Sequence, residues 1–385
     1  MMFPGLDRRR FLKEYWQQRP LLIRQALPGF RCPLSAEELA GLALEPEVES
    51  RIVSGSVDTG WTLRHGPFEN RDFTTAAERD WTLLVQDVEK HLPDLAWIID
   101  AFDQVPAWRV DDLMISYAAP GGSVGPHVDA YDVFLLQGAG RRRWFVDERT
   151  AVRGAERVTA GLRLLEGFEP TRDWVLSPGD ALYLPPGIPH HGVALDECMT
   201  CSVGFRAPAL GDILAEVAEE LESAGAPEPL LGDPRRREPD HPLELDPETL
   251  ARARQQVRRL LQSDRLLDQA LARTLSRAKP GFLDLDGSDE DRTSPLLPGT
   301  CLTRNPALRC ALLPPSGESP GRLYLNGEPV ILAPSCYPLA RALTAARHTV
   351  VADLEPCLGS PDQQSLLQWL LDSGYWYTGE CNAIE

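Results

Sequence analysis

At 385 residues, 43% hydrophobic and 25% charged, the chain is long enough for two or three domains with a large buried core. Its formal net charge of −18 disfavours nucleic-acid binding, which needs a concentrated basic surface, and attracts a basic partner, of which ribosomal proteins are one kind, although net charge selects no particular one. No apolar run reaches the length of a membrane span, and the opening MMFPGLDRRRFLKEYW lacks the apolar core of a signal peptide, so a cytoplasmic protein is expected.

Asp7 can cap a first helix that carries Phe11, Leu12, Tyr15 and Trp16 on one side and ends by Pro20. LLIR then reads as a short strand. Ser35-Ala36-Glu37-Glu38 matches a capping box, and Leu39 and Leu42 give the second helix its apolar face. A third pattern runs from Trp81 to Leu92 and stops at Pro93; as a helix it puts His91 on one face with Leu84 and Val88.

From about Arg109 the period becomes two. In RVDDLMISYA, Asp112, Met114, Ser116 and Ala118 share one face and Leu113, Ile115 and Tyr117 the other. HVDAYDVFLLQ, RRRWFVD, DWVLSPGDALYLP and TCSVGFRA follow, separated by Gly and Pro with no helical segment between them. The region to about Pro208 therefore reads as an antiparallel barrel or jelly roll. Cys198 and Cys201 form a C-x-x-C pair, but strand geometry points them to opposite faces, which fits buried small residues better than a redox or zinc site.

Beyond Pro208 the pattern turns helical: ALGDILAEVAEELESAG, a Pro-rich linker from Ala226 to about Asp246, then helices near Pro247 to Leu261 and Arg265 to Arg277. A helical module of this kind, over 209–280, is the candidate for homodimerisation. From about Gly281 a hairpin turning at Asn326-Gly327 and helices near Pro338 to Ala346 and Gln363 to Leu371 suggest a winged-helix shape. That part holds no lysine and more acidic than basic residues, so direct DNA binding is not expected. The chain is thus a mixed α+β protein with a catalytic part over 1–208, a helical part over 209–280 and a winged-helix-like part over 281–385.

Chemistry concentrates in GPHVDAYDVF. On a strand, His127 and Asp129 point the same way, and with one more histidine they would form the two-histidine, one-carboxylate set of a non-haem Fe(II) oxygenase. Of the seven histidines, His190 and His191 follow the proline-rigid turn of PGDALYLPPGIPHH, several strands downstream, and one of the two is the natural third ligand. His65, His91, His241 and His348 read as structural. Alone, H-x-D is a weak signal and more often a satisfied turn; the all-β setting and the second histidine segment strengthen it.

An oxo-acid bound to such a metal needs a buried cation for its distal carboxylate, and RRRW offers one: alternation sets Arg142 with Trp144 on one face and Arg141 and Arg143 on the other. On β-period spacing Asp112 shares a face with Ser116, whereas Asp111 and Asp132 should point away.

DDLMISYAAPGGSVGPHVDAYDVFLLQGAGRRRW and PGDALYLPPGIPHHGVAL resemble the Jumonji-type (JmjC) ribosomal oxygenases, specifically the bacterial arginine hydroxylases acting on a large-subunit ribosomal protein, and YWQQRPLLIR and LLDSGYWY extend the resemblance over nearly the whole chain. It implies a cupin-like double-stranded β-helix, a helical dimerisation region and a C-terminal winged-helix-like domain. It also implies hydroxylation of an arginine β-carbon with Fe(II), 2-oxoglutarate and oxygen. The iron ligands would be His127, Asp129 and His190; Arg142, with Ser116, would hold 2-oxoglutarate; Asp112, Tyr131, Ser202 and Met114 would receive the arginine. Two competing readings are the same chemistry on another residue (histidine hydroxylation or N-methyl-lysine demethylation) and a non-enzymatic cupin-like sensor, for which Arg142 would have no purpose.

Overall fold

The structure is a computed structural model that describes residues 7–149, 156–223, 230–232, 234, 241, 243–279 and 296–379. The expected linker over 226–246 falls mostly, and the boundary at Gly281 wholly, outside these residues. The chain divides into two compact units, Met1–Ala207 and Pro208–Glu385.

In the first unit the Asp7 carboxylate accepts from the Arg9 N–H and starts α1 (Arg8–Glu14). The helix ends before Pro20 is reached. Gln17 takes a positive φ of 56° and is drawn to the strand that follows later, donating its backbone N–H to the Tyr183 hydroxyl at 2.8 Å and its side-chain amide to Asp132 at 2.9 Å. β1 (Leu21–Ile23) is the LLIR strand, and the Ser35/Glu38 capping box opens α2 (Ala36–Leu42) as expected.

Two strands that periodicity did not reveal come next, β2 (Ser50–Ser56) and β3 (Gly60–His65), followed by α3 (Asn70–Thr74). The helix read from Trp81 to Leu92 is a correction. Trp81–Val85 is β4, and only Val88–His91 forms a single helical turn, α4. WTLLV is a short apolar run that is buried between β2 and β5, a setting in which apolar spacing does not distinguish strand from helix, and Asp87, at a φ of 52°, breaks the run.

After α5 (Trp97–Asp100), the jelly roll is built from β5 (Val110–Ala118), β6 (Asp132–Ala139), β7 (Arg142–Val146), β8 (Glu156–Thr159), β9 (Leu162–Leu165), β10 (Arg172–Leu176), β11 (Ala181–Leu184), β12 (His190–Ala194) and β13 (Cys198–Phe205). Among the described residues one sheet runs β1-β11-β6-β13-β5-β4-β2-β3 and a second β10-β7-β12, every pairing antiparallel. β6 is buried on both faces. Phe134 and Leu136 join Phe11, Phe102, Tyr183 and Phe205 in the outer core, whereas Val133 and Leu135 face Trp144, Val146, Leu176 and Leu184 between the sheets. Cys198 and Cys201 are buried in different clusters, as opposite strand faces require.

In the second unit, α6 (Leu210–Ser223), α7 (Pro247–Leu260) and α8 (Asp264–Ser276) match the expected helices. Arg273 on α8 reaches Glu220 at 2.7 Å and Glu216 at 3.5 Å on α6. Short strands follow: β14 (Cys301–Arg304), β15 (Cys310–Leu313), β16 (Arg322–Leu325), β17 (Glu328–Ile331), β18 (His348–Val350) and β19 (Trp376–Gly379). With them run α9 (Tyr337–Leu343), α10 (Val351–Leu354) and α11 (Pro361–Asp372). Asn326 and Gly327, both at positive φ, turn the β16–β17 hairpin. Leu323, Leu339, Leu367 and Trp376 are core. Among the described residues no helix is long and apolar enough to cross a membrane.

Candidate metal centre

Alternation along β5 sends Leu113 and Ile115 into the outer core and leaves Asp112, Met114 and Ser116 on a cavity of about 380 Å³ inside the jelly roll. On the adjacent β13, Ser202 lies opposite Met114 and Thr200 opposite Ser116, and both also line the cavity.

His127 and Asp129 reach the same cavity, but not from a regular strand. Gly125, at a φ of 83°, and Pro126 interrupt the extended chain, and β6 begins only at Asp132. His127 is held instead by an isolated bridge to His190: each backbone N–H donates to the other's carbonyl at 3.0 Å. The outcome resembles the strand reading because Asp129 still folds back beneath His127. His127 Nε2 stands 3.7 Å from Asp129 Oδ1, and His190 Nε2 stands 3.4 Å from Oδ2.

One donor atom from each of the three residues lies within 4.8 Å of the others, a spacing that a single ion can bridge. Each Nδ1 meets a backbone carbonyl at 2.9 Å, Gly125 for His127 and Ile188 for His190, which assigns the proton there and leaves both Nε2 lone pairs directed at the gap. Burial, with His190 adding to it, pulls the His127 imidazole down to about 4. Burial alone would raise the Asp129 carboxyl, but the two neighbouring imidazoles hold it at about 2. The donor set of two imidazoles and one carboxylate suits a divalent cation.

His191 points the other way. It packs between Phe145 and Phe168, ring centroids 6.1 and 6.4 Å away, and burial holds it down to about 4. β12 thus offers His190 to the cavity and His191 to an aromatic niche.

Arg142 is buried, stacks its guanidinium 5.1 Å from the Trp144 ring and lines the cavity. Its one hydrogen bond, from Nη2 to the Gly192 carbonyl, is 3.4 Å long; its Nε has no partner, and no carboxylate among the described residues pairs with it. Arg141 and Arg143 face outward and pair with Asp196 and Asp173, as expected for the other strand face. Such a buried cation fits the distal carboxylate of an oxo-acid. Ser116 lines the same cavity, its hydroxyl 3.4 Å from the Thr200 carbonyl.

The carboxylate of Asp112 is buried and accepts from the Gln86 side chain at 2.9 Å; a Cβ at Gly204 would sit 3.0 Å from its Oδ1, so glycine there leaves the carboxylate its room. Tyr131 is 40% exposed, at the rim. Asp132 turns away to bond Tyr183 and Gln17, as expected of it. Sequence reasoning passed over Gln86 and Arg51, which also line the cavity. Both come from the part of the large sheet whose strands were unread or taken for helix.

An antiparallel jelly roll with this triad and a buried arginine defines a JmjC domain, and the JmjC domain family matches residues 98–213; a ROXA-like winged helix matches residues 251–377. The ribosomal protein uL16 3-hydroxylase of Escherichia coli (strain K12) is 35% identical over 375 residues, 95% of this chain and 96% of its own length. Ribosomal oxygenase 2 of Rattus norvegicus is 27% identical over 197 residues, 47% of this chain and 40% of that protein. The structure of YcfD, a ribosomal oxygenase from Escherichia coli, in complex with cobalt and 2-oxoglutarate superposes with a TM-score of 0.81 at 34% identity, covering 98% of this chain and 99% of that one. The chain belongs to the family of JmjC ribosomal oxygenases.

Proposed function

We propose that the chain is an Fe(II)- and 2-oxoglutarate-dependent oxygenase that hydroxylates the β-carbon of an arginine in a large-subunit ribosomal protein. One observation carries the reading: a single cavity is lined by the His127, Asp129 and His190 triad, by the buried cation Arg142 and by Asp112, a buried carboxylate outside the triad. The uL16 3-hydroxylase relative supports the choice of substrate class.

In this reading His127, Asp129 and His190 hold the iron. Arg142 grips the distal carboxylate of 2-oxoglutarate, with the Ser116 hydroxyl as a further donor. Bound together, iron and 2-oxoglutarate supply the activation of oxygen that insertion into an unactivated C–H bond demands. Asp112 accepts N–H bonds from the substrate guanidinium, Ser202 adds a polar contact, Met114 packs on the aliphatic stem and Tyr131 flanks it at the rim. Holding the stem between these side chains would limit water in the cavity and fix how far the substrate side chain reaches into it.

The catalytic part spans 1–208, the helices over 209–280 form a homodimer interface and the winged-helix-like part spans 281–385. Leu214, Val257 and Leu271, exposed on α6, α7 and α8, support the interface. A ribosomal substrate sets the site of action in the cytoplasm.

The test is mass spectrometry of an arginine-containing ribosomal-protein peptide incubated with the chain, Fe(II), ascorbate and 2-oxoglutarate in air. A gain of one oxygen on the arginine, absent without 2-oxoglutarate, is expected. Consumption of 2-oxoglutarate with the peptide unchanged would retain the oxygenase and reject the substrate.

A further inference from the structure

Beside Asp112 lies a buried acceptor with no donor among the described residues. Gln86 follows β4 directly, and its backbone N–H is anchored to the Glu49 carbonyl at 2.9 Å. The Gln86 side chain lines the cavity; its Nε2 donates to Asp112 Oδ2 at 2.9 Å, while its Oε1 is buried without a hydrogen-bond partner among the described residues. The amide cannot be turned around to relieve this, because Oε1 would then face the Asp112 carboxylate, acceptor against acceptor. A buried carbonyl oxygen left unpaired is unfavourable, and one carried by a side chain that lines a ligand cavity fits a site completed by the ligand's own donor.

We infer that Gln86 is a substrate-recognition residue: its Oε1 accepts an N–H of the same guanidinium whose other N–H groups meet Asp112. The inference rests on the arginine reading above. A guanidinium presents five N–H donors in a rigid planar fork, more than one carboxylate can use, so a second acceptor beside Asp112 is filled by arginine without further adjustment. The Nε2 bond to Asp112 orients both acceptors as a unit. An ammonium, a compact point charge, can satisfy Asp112 but has no fixed second edge to present to Oε1, so the pair favours arginine over lysine at this position.

One substitution and two peptides in the full-length, metal-loaded protein separate recognition by the amide from orientation of Asp112. Gln86→Leu removes Oε1 and Nε2 together, and a peptide carrying lysine in place of arginine engages Asp112 without a second fixed edge to present to Oε1. The affinity of each peptide is measured by calorimetry, KM and kcat for hydroxylation of the arginine peptide are measured separately, and direct 2-oxoglutarate binding reports an intact cavity. Gln86→Leu is expected to weaken peptide binding and raise its KM by roughly ten- to a hundredfold, as for loss of one hydrogen bond to a charged group, with kcat little changed. The lysine peptide, bound more weakly by the parent protein, is expected to lose no more than a few-fold in affinity on the same substitution. An equal fold loss for the arginine and lysine peptides would mean that Gln86 only orients Asp112 and would overturn the inference, as would parent-like affinity of Gln86→Leu for the arginine peptide. Should the parent protein neither bind nor hydroxylate the peptide, the arginine reading itself falls and takes the inference with it.

Discussion

His190 and His191 are neighbours in sequence with opposite surroundings, one at the donor triad and one between two phenylalanines. Their substitution is therefore expected to divide cleanly. His127→Ala or His190→Ala lowers cobalt or iron affinity by more than about a hundredfold, beyond the effect of losing an outer hydrogen-bond partner, whereas His191→Ala stays within a few-fold and loses only about 1 kcal/mol of aromatic packing. Calorimetric metal titration and urea melts check the two halves. Glu89 makes a second prediction. It is buried behind Asp112 and accepts the Leu113 N–H at 3.0 Å; burial, opposed by Lys90 and reinforced by the charge of Asp112, raises its carboxyl from 4.5 to about 7. The folded state then holds a proton that the unfolded chain releases, so stability falls as pH rises from the unfolded to the folded value, and the penalty is complete above it. Glu89→Gln keeps an acceptor for Leu113 without that charge. It is expected to be more stable than the parent by about 2–3 kcal/mol at pH near 8, the advantage fading through the interval and vanishing below pH of about 4.5, as read by urea melts across pH.

The strand β12 carries a glycine that matters to the cavity. A Cβ on Gly192 would lie 2.7 Å from the Trp144 ring and 2.8 Å from Arg142 Nε, so the two side chains lie across β12 only because nothing projects there. Gly192→Ala is expected to raise KM for 2-oxoglutarate by about tenfold while costing about 1–3 kcal/mol of stability, the usual range for overpacking. A KM unchanged beside a lowered melting temperature would dissociate packing from cosubstrate binding. Elements differ in how readable they are. The caps at Asp7 and Ser35, the faces of β5, the Arg142/Trp144 alternation and the Asn326-Gly327 hairpin rest on local chemistry and were legible. β2 and β3 were not: SRIVSGS mixes Ser and Gly with few apolar residues, and its strand character comes from pairing with β4 and β3. β4 failed for the opposite reason, being apolar on both faces. The H-x-D segment was read correctly as convergent but on a false premise, since a glycine turn and a backbone bridge, rather than strand alternation, bring His127 and Asp129 together. The small strands β14, β15, β18 and β19 are three or four residues long, too short for alternation to register.

At the scale of the whole molecule, a net charge of −18 would draw in a basic substrate protein, such as the ribosomal protein of the proposed function, before any contact is made. Raising ionic strength from about 0.01 to 0.15 M shortens the screening length from about 30 to 8 Å. kcat/KM for the intact ribosomal protein is expected to fall by roughly tenfold over that range, with a smaller fall for a short peptide carrying the same arginine. Equal salt dependence for both, followed by a discontinuous oxygen-uptake assay, would assign the effect to the cavity instead of the surface field. The bridge between His127 and His190 reaches further than the placement of two rings. Their backbones are tied by two mutual hydrogen bonds although the residues belong to distant stretches of chain, so the bridge itself carries the entropy of closing that long loop. A variant in which the bridge is broken would have to meet that closure cost out of the free energy of binding an ion.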